Sequence, residues 1–152
     1  MPTERNLRLA AGTLAIAGIG VATYIAIAES GGGSPQCLVG GGGCETVADS
    51  EYSELAGVNV AVIGIFGYAM LLLAALVPGD VGRFGGFVTA LIGVGFSIYL
   101  TYLELFVIDA ICQWCIASAV LMALSLVVAA ARAFVYTGAE LTPPPIQSPH
   151  GR

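Results

Sequence analysis

Polar positions are rare along this chain, and four long stretches carry almost none: Leu7 to Ala28, Gly57 to Val77, Phe84 to Val107 and Ala110 to Tyr136. Each clears the roughly 18 to 20 apolar residues that a helix needs to cross about 30 Å of hydrocarbon. The runs are continuous rather than alternating, so they lack the period-two pattern of a membrane barrel, and in lipid a lone segment satisfies its backbone only as a helix. The pattern predicts an all-α membrane protein, a four-transmembrane-helix bundle. Residues 29–56 form a long loop between the first two stretches, and within it TVADSEYSELAG sets Val47, Tyr52 and Leu55 on one face of a short interfacial helix. Asp49 or Ser50 is placed to cap that helix.

Composition supports the same picture. With 57% hydrophobic and 10% charged residues and a mean hydropathy of +0.90, the chain lies far outside the range of soluble globular domains. Charge then orients it. Arg5 lies before the first stretch and Arg8 at its very start, Arg83 lies between the second and third, and Arg132 and Arg152 fall at the end of the fourth or beyond it. Four crossings put all of them on one side, and short loops that retain arginine face the cytoplasm. Both termini are therefore expected in the cytoplasm of a multi-pass cell-membrane protein, with residues 1–136 as the membrane domain and 137–152 as a disordered tail. The opposite side carries no basic residue, which excludes nucleic acid as a partner. Ala26, Ile27 and Ala28 resemble a signal-peptidase site. The run before them is longer than a signal core, and cleavage would break the charge asymmetry, so the first stretch is read as retained.

The candidate chemistry is in four cysteines. Counting crossings puts Cys37 and Cys44 in the extracytoplasmic loop and Cys112 and Cys115 at the start of the fourth span on the same side, facing an oxidising compartment. Three pairings are possible. The C-x-x-C pair at a helix start is where unpaired backbone N–H groups and the helix dipole favour a thiolate, the nucleophile of disulfide exchange. The alternatives are a four-thiolate zinc site, static structural disulfides in a small membrane subunit, and thiols packed as small apolar residues. A dithiol above a membrane span points to a quinone as acceptor, because a quinone takes the two electrons and two protons that a dithiol releases. Asn59, Tyr68, Tyr99, Tyr102 and Glu104 are the polar candidates for its pocket. Glu104 is either a proton relay or a snorkelling acid, and Asn59 either bonds a quinone carbonyl or caps a helix.

The spaced loop pair, the segment CETVADSEYSELAGVNVAVIGIFGYAML and the stretch FSIYLTYLELFVIDAICQWCIASA together resemble the vitamin K epoxide reductase family and its prokaryotic members, from about Leu14 to Leu126. The resemblance implies a four-helix bundle around a quinone and a relay of two cysteine pairs. In that relay Cys115 meets the quinone, Cys112 exchanges with Cys44, and Cys37 exchanges with a thioredoxin-like partner. Ser50, six residues after Cys44, is implied to help position the relay. Ala119 stands where the animal enzymes have a tyrosine, and the family asparagine falls on Asn59 or Val60. Quinone reduction is thus implied, and epoxide reduction is left open. No metal is expected. Too few residues follow Tyr136 for a fused thioredoxin-like domain, so the partner is expected to be a separate chain.

Overall fold

The structure is a computed structural model that describes residues 3–39 and 42–140, with side chains up to residue 134. The described residues form five α-helices: α1 (Glu4–Ser30), α2 (Gly43–Ala48), α3 (Val60–Leu76), α4 (Gly79–Leu103) and α5 (Gln113–Glu140). α1, α4 with its continuation to Ile108, and α5 through Phe134 are long and apolar enough to cross a membrane, while α3 is apolar but only 17 residues long. α1 packs against α3 and α5, and α4 packs against the same two. The four long helices therefore close a ring in the order α1, α3, α4, α5.

Several boundaries differ from the sequence pattern. The second apolar stretch enters its helix three residues late, because Val58–Asn59 (β2) pairs antiparallel with Glu54–Leu55 (β1), Glu54 facing Asn59. Asn59 then caps α3, its side-chain oxygen accepting from the Ala61 N–H at 2.8 Å. The third stretch begins early, at Gly79, directly after Pro78, whose ring suits the position before a first helical turn. The expected interfacial helix is shorter than TVADSEYSELAG. α2 stops at Ala48, a single 3₁₀ turn covers Glu51–Ser53, and Val47, Tyr52 and Leu55 share no helix face. The break has a local cause: the Asp49 N–H makes the last α-helical bond, to the Glu45 carbonyl, and the Ser50 hydroxyl then donates to the Val47 carbonyl at 2.7 Å, so both residues lie at the end of α2 rather than at a helix start. At the other end α5 continues through Glu140, beyond the expected end at Tyr136. The remainder of the expected tail, with Arg152, lies outside the described residues.

The centre of the ring is built from small residues. Ala15, Ala90 and Ala133 are fully buried, and Gly18, Ala22, Gly82, Gly86 and Ala129 continue the same faces at spacings of three or four. Large apolar side chains such as Ile16, Phe66, Ile92 and Val127 point outward. This inverts the soluble pattern for a physical reason. Lipid is as apolar as leucine, so helices associate in it through close backbone approach, which small side chains permit. Tyr68 is the largest of the fully buried side chains among the described residues, at 1% exposure, and Leu71 and Met122 join it in the core. The Tyr68 ring lies over Gly18, where any Cβ would overlap it.

Charge collects at the end of the ring where α1 starts and α3 stops. Arg8 donates to the carbonyls of Ala75 (2.9 Å) and Leu76 (2.6 Å), and Arg132 reaches that of Ala74 (3.5 Å). These are carbonyls in the last turn of α3, which has no following turn to supply N–H donors. Glu4 lies 3.5 Å from Arg132 and 3.8 Å from Arg83, which pairs the buried Arg132 as a buried charge requires. Gly18→Ala should destabilise the protein by about 1–3 kcal/mol through overpacking against Tyr68, seen as a lower unfolding midpoint in detergent. Gly20→Ala, whose Cβ would meet nothing within 4 Å, should leave that midpoint unchanged or raise it.

Candidate active site

The reversal between α4 and α5 takes only residues 109–112, and it is set up by an irregular helix end. Glu104–Ile108 continues α4 as a π-helical turn, and both Asp109 and Ala110 donate their N–H to the Glu104 carbonyl. Asp109 adopts a left-handed conformation (φ 54°) that ends the helix. Cys112 follows as the residue before α5, its carbonyl accepting the first intrahelical bond, from Ile116 N–H at 3.1 Å. Cys115 therefore sits in the first turn of α5, and a single turn of helix separates the two thiols. Both are free, Cys112 buried and Cys115 partly buried.

Cys37 and Cys44 are joined in a disulfide, with their Cα atoms 5.8 Å apart. Cys44 is 1% exposed and Cys112 2% exposed. The chain at Gly43 lies against the Ile111 carbonyl so closely that a Cβ would overlap it. Glycine is thus what lets the start of α2 reach the residue before Cys112. The four sulfurs fall in an order: Cys37 half-buried, Cys44 and Cys112 both buried, and Cys115 facing inward among the long helices.

Below these cysteines, between the helices, is a cavity of about 460 Å³. Its wall is mostly apolar and includes Cys115, Glu104, Glu29, Tyr68, Ser50 and Ala119. Phe66, Met70 and Ile92 also line it and are exposed on the outside, so the cavity reaches the surface between α3 and α4. Glu104 is 5% exposed. One carboxylate oxygen accepts the Cys112 N–H at 3.1 Å, and the carboxylate also hydrogen-bonds the Cys115 thiol. The Tyr68 hydroxyl donates to the Ser118 carbonyl at 2.7 Å and lies 3.1 Å from the Ser118 hydroxyl, one turn beyond Cys115.

The sequence-predicted pocket residues thus divide. Tyr68, Glu104, Cys115 and Ser50 meet at the cavity. Asn59 stands just outside it and donates its amide to Glu29, which does line it. Tyr99 and Tyr102 do not join them: they are 47% and 56% exposed on the outer face of α4, next to Phe96 and Phe106 respectively. A helix presents a given face every three to four residues, and the face bearing Glu104 and Thr101 turns inward while that bearing Tyr99 and Tyr102 turns outward. Sequence reasoning missed Glu29 and Ser118. Glu29, the acid that closes an apolar run, had a legible signal, since a carboxylate at the end of a span is costly unless used. Ser118 had none. Among the described residues no three His, Cys, Asp or Glu side chains converge as a metal site.

Electrostatics separate the two thiols. The Cys115 side chain's hydrogen bond lowers the Cys112 thiol below the usual thiol range, helped by the backbone N–H groups of Cys115 and Trp114, while burial and the Glu104 carboxylate work the other way. The profile of the Vitamin K epoxide reductase family matches residues 9–130, a stretch that holds all four cysteines and the whole cavity wall. The chain belongs to the vitamin K epoxide reductase family. As a vitamin K epoxide reductase family member it is a membrane oxidoreductase, and that family works in general with a membrane quinone and a thiol-redox partner. In this family member, thiolate absorbance near 240 nm should titrate from Cys112 with a midpoint below that of an ordinary cysteine. The thiol form dominates below this midpoint and the thiolate above it. Cys115→Ala should move the midpoint up, because the largest lowering contribution is removed.

Proposed function

We propose that the chain is a membrane thiol:quinone oxidoreductase that supports disulfide-bond formation outside the cytoplasm. It takes electrons from a thioredoxin-like partner through Cys37 and Cys44, passes them to Cys112 and Cys115, and delivers them to a quinone. The observation that carries this reading is the position of the Cys112–Cys115 dithiol, with the loop disulfide on one side and an apolar cavity on the other. A volume of about 460 Å³ suits a ring of quinone size, and the opening between α3 and α4 suits a substrate that arrives through lipid.

All four long helices cross the membrane in this reading. α3 spans about 25 Å at 1.5 Å per residue, and its extended entry through β2 covers the rest. The end of the ring that gathers Arg8, Arg83 and Arg132 faces the cytoplasm. The cysteines then open to the oxidising side.

The chemistry balances in two exchanges and one oxidation. The partner dithiol attacks the loop disulfide at Cys37, leaves as its own disulfide, and frees Cys37 and Cys44 as thiols. Cys44 attacks Cys112 in the oxidised C-x-x-C and releases Cys115. Cys37 then attacks Cys44 and releases Cys112, and a thiol whose pKa is lowered leaves faster. The product has a loop disulfide and a C-x-x-C dithiol, the redox state observed. Oxidation of that dithiol to its disulfide releases two electrons and two protons, which convert quinone to quinol. Glu104 takes the Cys115 proton during this step and passes it into the cavity. Tyr68 and Glu29, with Asn59 behind it, supply the polar contacts for the quinone. Ser50 holds the end of α2 through Val47 and so positions Cys44.

The purified protein, given quinone and a reduced thioredoxin-like protein, should form quinol, and Cys115→Ser should abolish this in protein that still folds. Persistence of quinone-dependent turnover in that variant would sink the proposal, and loss of folding alone would favour a static role for the cysteines. Glu104→Gln should slow quinol formation about a hundredfold, the low end of what a positioned proton acceptor contributes.

A further inference from the structure

The two residues between the thiols, Gln113 and Trp114, point away from the cavity and toward the loop that carries Cys37. The Trp114 indole N–H donates to the Gln36 carbonyl at 2.9 Å. The Gln113 side-chain oxygen accepts the Val39 N–H at 3.0 Å. From the end of α1, the Tyr24 hydroxyl accepts the Gln36 N–H at 3.2 Å, and the Tyr24 ring rests against that of Trp114 with centroids 4.8 Å apart. The backbone on both sides of Cys37 is thus held by three side chains that belong to the bundle.

This arrangement compensates for what the loop lacks. Residues 34–37 adopt no helix or strand, so their backbone groups have no ladder to join and need other partners. Apolar packing holds the segment at Pro35 alone, which is buried, while Leu38 and Val39 just beyond Cys37 are 76% and 81% exposed. On the far side of the disulfide, Gly43 abuts the Ile111 carbonyl. The chain from Ile111 to Trp114 therefore grips the loop on both flanks of the Cys37–Cys44 pair, and it does so through loop backbone rather than loop side chains.

We propose that Gln113, Trp114 and Tyr24 form a dock that positions the loop cysteines for exchange, so that the C-x-x-C motif carries both the redox thiols and the seat for the pair that reduces them. They are positioning residues, acting through Cys44. The inference deepens the relay reading and rests on it for its purpose, but the dock itself is a statement about how near Cys44 is held to Cys112. Holding two thiols together raises the effective concentration of one at the other.

That quantity can be measured without quinone or partner. In full-length protein carrying Cys37→Ala and Cys115→Ala, oxidation by glutathione disulfide joins Cys44 to Cys112 and releases two glutathione thiols, and the equilibrium against glutathione gives the effective concentration. Adding Trp114→Phe, which keeps a ring but loses the N–H, should lower it about tenfold, the factor made by one lost hydrogen bond at the upper end of its usual net worth. Gln113→Ala should act similarly, and Gln113→Glu, which keeps an acceptor for Val39 N–H, should restore the value. Tyr24→Phe deletes only a hydroxyl from a different helix, and it supplies a folded variant if either change in the motif prevents folding. Unchanged effective concentration in Trp114→Phe, Gln113→Ala or, in their place, Tyr24→Phe overturns the dock, as does equal loss in Gln113→Ala and Gln113→Glu. If the trapped disulfide responds as expected while the intact protein reduces no quinone, the dock stands and the relay reading fails.

Discussion

A tyrosine can be buried among alanines and glycines only where a neighbouring helix gives up a side chain and another supplies a hydrogen-bond partner. Tyr68 meets both conditions, with Gly18 beneath its ring and Ser118 at its hydroxyl. In lipid there is little hydrophobic gain in bringing helices together, so such close contacts carry the association. This one ties α1, α3 and α5 together a single turn below Cys115. The cavity, the placement of Cys115 on its wall and the approach of the loop all presuppose that α5 is held there.

The rest of the site follows from how polar groups are satisfied around that tie. Glu104 is buried, and it accepts from the Cys112 N–H and bonds the Cys115 thiol, which couples the end of α4 to both thiols at once. Its π-helical turn brings this about, since one wide turn redirects the chain and lets Cys112 follow within a few residues. Asn59 serves two partners in a comparable way, capping α3 through its oxygen and bonding Glu29 through its amide. At the opposite end the arginines close the carbonyls of α3 and anchor Glu4. Polar contacts therefore fix the two ends of the ring, and small-residue contacts fix its middle.

Much of this was legible beforehand. The four apolar stretches, the loop between the first two and the grouping of four cysteines near one end are consequences of hydropathy and counting, and the C-x-x-C at a helix start was visible as such. Asn59 as a cap, Tyr68 inside and Glu104 at the site were also named from residue type. Tyr99 and Tyr102 were named on the same grounds and lie outside, because residue type does not tell which face of a fully apolar helix turns inward. The interfacial helix was overextended, because the side chains at Asp49 and Ser50 read equally well as the start or the end of a helix.

By itself the sequence determined the apolar surroundings, the number of apolar stretches and the spacing of the four cysteines, because those depend on composition and on order along one chain. The tertiary structure alone decided which polar residues share a cavity, that Glu29 and Ser118 belong with them, and that Gln113 and Trp114 hold the loop. Those facts depend on helix rotation and on contacts between residues far apart in sequence, such as Tyr24 with Gln36 and Tyr68 with Ser118. A helix that is apolar all round carries no moment to set its rotation. Only the packing of its small residues against its neighbours sets it.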